Sequence, residues 1–319
     1  MNPILAKNNR LFELARSGKR QPHLVVVVVL SFIFVLAAQI LGGIPAVVLV
    51  VALSMVGQPG PALDDMGQVI QAAMPDTALD QTIFLVLAFS PIFLFLWGWL
   101  ALVEKRGLRS IGLEWTQALK KYGRGALIGL MMFVAAIGLA ALPGYIVVDR
   151  VSVQTQGVMA LGGVLLVMFG WVVQGAAEEA IARGWVLPTI GGRYHPLAGI
   201  LISSVIFTAF HSFNPNLSPI AILNLFLFGL FTALYALTEG GLWGVFSLHS
   251  VWNWAQGNLF GFEVSGMASP GGTLFNLRET GPDVITGGSF GPEGGLAVTA
   301  VLVISCLVVW LMARRRSAA

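Results

Sequence analysis

Seven side chains in this sequence have types and spacings that can do chemistry together. Glu178 and Glu179 are adjacent, and Arg183 follows Glu179 by four residues. His211 follows Phe207 by four, and Asn253 follows His249 by four. Residues at i and i+4 share a helix face, so Glu179 and Arg183 can pair. Glu178 is rotated by about 100° from Glu179 on a 3.6-residue helix and can point at a different neighbour.

Peptide hydrolysis needs an activated water and a group that stabilises the developing oxyanion. A carboxylate in a low-dielectric pocket is a better proton acceptor than one in water, and so can serve as general base. A histidine opposite it can hold the same water. A second histidine with an asparagine amide can donate to the oxyanion. Glu178 with His211, then His249 with Asn253, fill those roles. Glu178, His211 and His249 are also ordinary zinc ligands, so Zn is the metal such a set would take. There is no HExxH helix, which would be a stronger zinc signal. Simpler readings exist for single members. The Glu179–Arg183 pair fits a structural lock, Asn253 fits interhelical hydrogen bonding, and Trp252 and Trp254 fit packing or interfacial positions. A proton-coupled transporter also places Glu, Arg and His at mid-membrane. Spacing alone fits an enzyme and a transporter equally.

The elements that carry these residues are membrane spans. The chain has 319 residues, 56% hydrophobic and 10% charged, against about a quarter charged in soluble domains. Apolar runs long enough to span, or nearly so, fall at about 24–56, 83–103, 125–148, 161–190, 197–212, 219–238, 242–260 and 295–313. The first is too long for a signal peptide. It reads as a retained span, or as one long helix broken near Gly42, Gly43 and Pro45. The expected fold class is therefore all-α, a polytopic transmembrane helical bundle of about eight spans.

Charge orients it. In an eight-span arrangement 16 of the 18 Lys and Arg residues fall on one side, with only Arg150 and Arg278 opposite. By the positive-inside rule that side is cytoplasmic, and both termini lie on it. The opposite side carries Asp64, Asp65, Asp76, Asp80, Asp283 and Glu293. The basic residues follow the membrane edge and suit anionic lipid headgroups rather than nucleic acid. Cys306 is the single cysteine, a packing residue with no disulfide or metal cluster to join. His23 and His195 sit at membrane edges. Helical rise places His249 ~10 Å, Glu178 ~18 Å and His211 ~21 Å from the cytoplasmic ends of their spans. A common depth in the inner half to middle of the bilayer is the expectation, with cleavage near the cytoplasmic leaflet. Ionisable residues at such depth default to a functional reading.

Three segments carry a resemblance. Glu178-Glu179-Ala-Ile-Ala-Arg183-Gly184 resembles the EExxxR motif of the CPBP family, the type-II CAAX-processing endopeptidases and their bacteriocin-processing or immunity relatives. Phe207-Thr-Ala-Phe-His211 resembles its FxxxH motif, and His249-Ser-Val-Trp-Asn253 its HxxxN motif. Each is weak alone; in order on three separate spans they are specific. Ala182 departs from the pattern, where an aromatic residue is common. The resemblance implies that Glu178 and His211 activate the water and that His249 and Asn253 form the oxyanion site. Glu179, Arg183 and Phe207 would support them. The family is described both as metalloproteases and as glutamate proteases, and the glutamate mechanism is preferred here.

The expected organisation is a basic cytoplasmic tail at 1–23, spans one to three over 24–160, and a catalytic core over 161–260. An outer Gly/Pro-rich loop with the last span and a basic tail follows over 261–319. The loop has no role in this reading. The expected activity is an intramembrane endopeptidase acting on a membrane-associated or CAAX-like protein or peptide. The rivals are a non-catalytic immunity or scaffold protein of the same fold and a proton-coupled transporter. Lipids and a peptide or lipid-anchored protein are the expected partners, and the bacterial plasma membrane the expected location. The tail ends Arg314-Arg-Arg-Ser-Ala-Ala and is not itself a CAAX substrate.

Overall fold

The computed structural model describes residues 3–55, 67–68, 73–150 and 155–316. Each of the eight apolar runs forms a helix. A short amphipathic helix α1 (Arg10–Arg16) precedes them. The spans that follow are α2 (Leu24–Ser54), α3 (Ala78–Glu104), α4 (Ala118–Ala141), α5 (Gly157–Arg193) and α7 (Pro219–Glu239). Between these last two lies the shorter α6 (Pro196–Phe210), and after them come α8 (243–259) and α9 (Leu296–Arg316). Six of the helices are long and apolar enough to cross a membrane by length and composition; α6 and α8 are shorter. The chain is an all-α polytopic bundle.

Boundaries moved where polar residues extend a helix. Thr77 caps α3 with a capping box to Asp80, so the helix begins five residues before the predicted apolar run. Helix α4 starts at Ala118, because Lys120, Lys121 and Arg124 lie on its first turns. It ends at Ala141. Residues 146–148, predicted as helix, instead form strand β1 (Ile146–Val148), antiparallel to β2 (Leu277–Glu279). Most of the polar loop predicted at 57–82, with Asp64 and Asp65, lies outside the described residues.

The expected break in the first span is a π turn over Gln39–Gly43 inside one continuous helix. Its cause sits in α3. Pro91 lies inside that helix and has no N–H to offer the carbonyl of Leu87. Gly42 packs there: a Cβ on it would stand 1.8 Å from Leu87 O. Similar π turns occur at Leu100–Glu104, Ala180–Val186 and Ala255–Leu259. Single π turns of this kind often mark functional sites, and the one at Ala180–Val186 follows directly on Glu178 and Glu179.

Helices α5 and α8 form the centre. They meet at Gly175, where a Cβ would lie 2.8 Å from the amide nitrogen of Ser250. Small residues of this kind let membrane helices approach backbone to backbone. That contact holds the Glu178–Glu179 turn of one helix against the His249 turn of the other. Helix α4 packs on the far side of α8, with α3 on the far side of α5. Helices α7, α9 and α6 close the bundle.

The two ends of the bundle differ. One carries α1, the start of α4, the 194–195 turn and the last residues of α9, with Lys19, Lys105, Arg109, Lys120, Arg193 and Arg314. The other carries the 211–218 turn, the β1–β2 pair and the 261–295 segment. Arg183, counted with the cytoplasmic basic residues but placed within a span by sequence, lies in the bundle interior at 0% exposure.

Candidate active site

The two adjacent glutamates diverge as their rotation requires. Glu179 is fully buried, and its Oε1 accepts hydrogen bonds from Arg183 Nη1 at 3.1 Å and from His249 Nδ1 at 3.0 Å. Glu178 points instead into a chamber of about 780 Å³. Its Oε1 accepts from Gln174 Nε2 at 2.7 Å. Its Oε2 is buried, has no hydrogen-bond partner among the described residues, and lies 3.9 Å from His249 Nε2.

Each histidine is oriented through Nδ1. That of His211 lies 2.9 Å from the carbonyl oxygen of Phe207, to which only a protonated nitrogen can bond. Its Nε2 is thereby left as an acceptor in the neutral ring. His211 caps α6 and lines the chamber. His249 has its Nδ1 on Glu179 and so turns Nε2 towards Glu178. Carboxylates commonly fix ring orientation and tautomer in this way. The nearest histidine to Glu178 among the ion-pair contacts is therefore His249, whereas the sequence reading paired Glu178 with His211.

Asn253 Nδ2 donates to Gln174 Oε1 at 2.9 Å. Gln174 thus bridges Glu178 and Asn253, donating to one and accepting from the other. Gln174 was not singled out from sequence, because a neutral amide on an apolar span does not stand out by type. The signal available was an amide four residues before Glu178, hence on its helix face.

Phe207 supports the group from below. The Arg183 guanidinium stands 4.3 Å from its ring centroid, a cation–π contact. The rings of His211 and His249 lie 4.9 and 5.9 Å from the same ring. All seven side chains singled out by sequence therefore fall within one linked cluster.

Trp252, read as packing, is fully buried but also lines the chamber, and its Nε1 donates to Glu293 Oε1 at 3.0 Å. The 261–295 segment, given no role from sequence, forms a wall of the chamber. Glu293 Oε2 accepts from the amide and hydroxyl of Ser265 at 2.8 and 2.7 Å. Asn214 Nδ2 donates to Ser265 O, and Asn224 Nδ2 to the carbonyls of Glu293 and Gly295. Irregular backbone at membrane depth is tolerated where it is buried in protein or lines a cavity. The remaining walls are mostly apolar, with Phe84, Leu85, Phe210, Leu225, Phe228 and Leu302.

A zinc site does not fit this placement. Among the described residues no group of three His, Cys, Asp or Glu side chains is arranged to hold a metal ion. Both Nδ1 atoms are committed elsewhere, and the remaining donors of Glu178, His211 and His249 do not form such a group.

Residues 159–255 match the family model Rce1-like, described as type II CAAX prenyl endopeptidase Rce1-like. The match covers the spans that carry all seven residues. No curated protein and no solved structure matches the chain.

Proposed function

Because this integral membrane protein carries an Rce1-like domain of the CAAX endopeptidase type over residues 159–255, in keeping with the CPBP family, we propose that it is an intramembrane endopeptidase with Glu178 as general base. The observation that carries this reading is the free Glu178 Oε2, buried at the chamber wall and facing His249 Nε2 across 3.9 Å. A polar gap of that width is where a bridging water belongs.

In this mechanism Glu178 accepts a proton from the water as it attacks the scissile carbonyl, then returns it to the leaving amine. His211 holds the water through Nε2. His249 Nε2 and the second hydrogen of the Asn253 amide donate to the oxyanion. For that, His249 needs hydrogens on both nitrogens, and the Glu179 carboxylate at Nδ1 stabilises this form. Arg183 balances the charge of Glu179. Gln174 positions Glu178 and Asn253 relative to each other. The chemistry needs no metal. The apolar walls suit a membrane-associated peptide or protein with apolar residues around the cut.

Close packing on the basic side favours the endopeptidase reading over the transporter. On the basic side of Glu179 the next turns of α5 present Ile181, Ala182, Trp185, Val186 and Leu187, all at 0% exposure. The charged side chain on these turns, Arg183, is engaged with Glu179 and Phe207. A scaffold of the same fold would have no use for an unpartnered buried carboxylate oxygen, which costs free energy to keep.

The test assumes no substrate. Peptide termini are compared by mass spectrometry in cells carrying wild type or Glu178→Gln at equal expression. Termini that depend on Glu178 establish a protease and reveal its substrates. Identical termini, in cells where deletion still has a phenotype, would leave the scaffold reading.

A further inference from the structure

The chamber is built from one end of the molecule. Its described lining comes from the middle and far half of α2 (Val35, Gln39, Val47), from Met74 and Pro75 before α3, and from the 211–218 turn. The 264–270 segment, Glu293 and the first turns of α9 complete it. None of its lining residues comes from the basic end: not α1, the 105–124 segment, the 187–197 turn or the 239–243 turn.

Beneath Glu178 the bundle is solid. Arg183 and Trp185 are at 0% exposure and Phe207 and Phe231 at 1%. Arg183 closes over Phe207. Further down, Trp185 donates to the buried Glu104, and Ile111 and Leu242 pack against Gly184. Every residue of this floor is described. A peptide approaching from the basic end would have to displace close-packed side chains, including a buried ion pair. Separating a buried ion pair leaves uncompensated charge in the bundle and is strongly unfavourable.

The positive charge on the floor side gives the orientation. Basic residues crowd the closed end and are nearly absent from the open one, where Arg278 and Arg150 are outnumbered by Asp76, Asp80, Asp149, Glu263, Glu279 and Asp283. Membrane proteins place such basic ends in the cytoplasm. The sequence expectation of cleavage near the cytoplasmic leaflet rested on helical rise alone. It put the catalytic residues at mid-depth but could not tell which way the cavity between them opens.

Resting on the endopeptidase reading, we infer that the site takes its substrate from the non-cytoplasmic side: an apolar segment of a membrane-anchored or translocated polypeptide, cut on the face opposite the basic end. The chamber reaches Gln39 at mid-helix of α2, so the substrate enters extended, beside α2 and under the 264–270 wall. The walls hold no charged side chain besides the catalytic group and Glu293, which is tied to Trp252 and Ser265. The residues either side of the cut are therefore uncharged.

Single cysteines test this in a Cys306→Ala background, which removes the only native thiol. Met267→Cys sits on the chamber wall and is half exposed. Gln39→Cys lines the chamber at the middle of α2, and Leu119→Cys marks the basic end. A charged, membrane-impermeant methanethiosulfonate is applied to right-side-out and to inverted vesicles. The expected result is labelling of Met267→Cys and Gln39→Cys from the right-side-out face only, and of Leu119→Cys from the inverted face only. Labelling of Gln39→Cys from the same face as Leu119→Cys overturns the inference. So does labelling of Met267→Cys from inverted vesicles alone, or protection of Gln39→Cys from both faces. Met267 and Leu119 are exposed, so their variants fold; Gln39→Cys is checked by monodispersity in detergent. Labelling needs no catalysis. The expected pattern together with Glu178-independent proteolysis would sink the endopeptidase reading and leave the access route standing.

Discussion

Two buried carboxylate–guanidinium groups lie along the same bundle, and they are built differently. At the basic end Glu104 pairs with Arg106, with side chains 1% and 2% exposed. Glu104 Oε1 accepts from the indoles of Trp99 and Trp185 at 2.8 and 2.7 Å, and Oε2 from Arg106 Nε at 2.7 Å. Arg106 spends its other donors on Ser110 and Thr189. Nothing polar is left over on the carboxylate. In the chamber cluster, Glu178 Oε2, Glu179 Oε2, Arg183 Nε and Arg183 Nη2 all lack hydrogen-bond partners among the described residues. Buried polar groups in folded proteins are nearly always satisfied. A knot with every bond made is a structural device. A cluster with several unmade has polar atoms to spare for a further partner.

The largest expected effect breaks that comparison most directly. Glu178→Gln keeps the shape and the neighbour Gln174, and removes the general base. Proteolysis should fall by about 10²–10⁴-fold, with the melting temperature in detergent nearly unchanged. Glu104→Ala should do the opposite. It strands Arg106 and two indole N–H groups, and loss of one partner from a buried pair costs about 3–5 kcal/mol. Denaturant or thermal unfolding should show that loss, while the folded fraction cleaves at the wild-type rate. If Glu104→Ala lost activity without losing stability, satisfaction of hydrogen bonds would not separate the two roles.

Glu179→Gln lies between the extremes. It removes the charge that both Arg183 and His249 use, so stability and activity should fall together, by about 3–5 kcal/mol for the broken pair. Gln174→Ala is milder. It deletes two hydrogen bonds, each worth about 0.5–1.5 kcal/mol net, one of them to a carboxylate. Its mark as a positioning residue is a lower kcat at unchanged expression, with Gln174→Glu failing to rescue because a second carboxylate would face Glu178.

Much of this was legible in the sequence. Ionisable residues are so rare in the spans that Glu178, Glu179, Arg183, His211 and His249 stand out by type alone. The helical period then assigns Glu178 and Glu179 to different faces. What the sequence lacked was information carried between helices. The bond from His249 to Glu179 depends on how α5 and α8 pack at Gly175. The bridging role of Gln174 depends on an asparagine 79 residues away. The 261–295 segment has no periodic pattern, so its fold into a chamber wall through Glu293 and Ser265 could not be read from composition. The strand at 146–148 was hidden for the opposite reason. Its Ile-Val-Val run is apolar enough to extend a span, and only pairing with Leu277–Glu279 makes it a strand.

Glu279 sharpens the comparison from outside the spans. It too has a buried oxygen, Oε1, without a hydrogen-bond partner among the described residues, but no histidine or arginine is paired with it. Burial raises its pKa from 4.5 to about 7, and the nearby charges of Glu263 and Asp283 push the same way. Hydrogen bonds from Thr286 and the Gly288 backbone oppose the shift. An acid whose pKa is raised by folding binds more protons folded than unfolded between those two values. Stability of the β1–β2 region is then full below about pH 4.5, falls as pH rises to about 7, and is flat above. Hydrogen exchange of the 277–288 amides should accordingly be slower at the acid end of that window than at the neutral end, after correction for intrinsic rates. Glu279→Gln should flatten the difference and leave Glu178-dependent cleavage in place. An unchanged pH dependence in that variant would overturn the assignment to Glu279. Loss of cleavage would mean that an unpartnered carboxylate oxygen matters to the reaction even where no histidine faces it, and the distinction drawn from Glu104 and Glu178 would then need a third term.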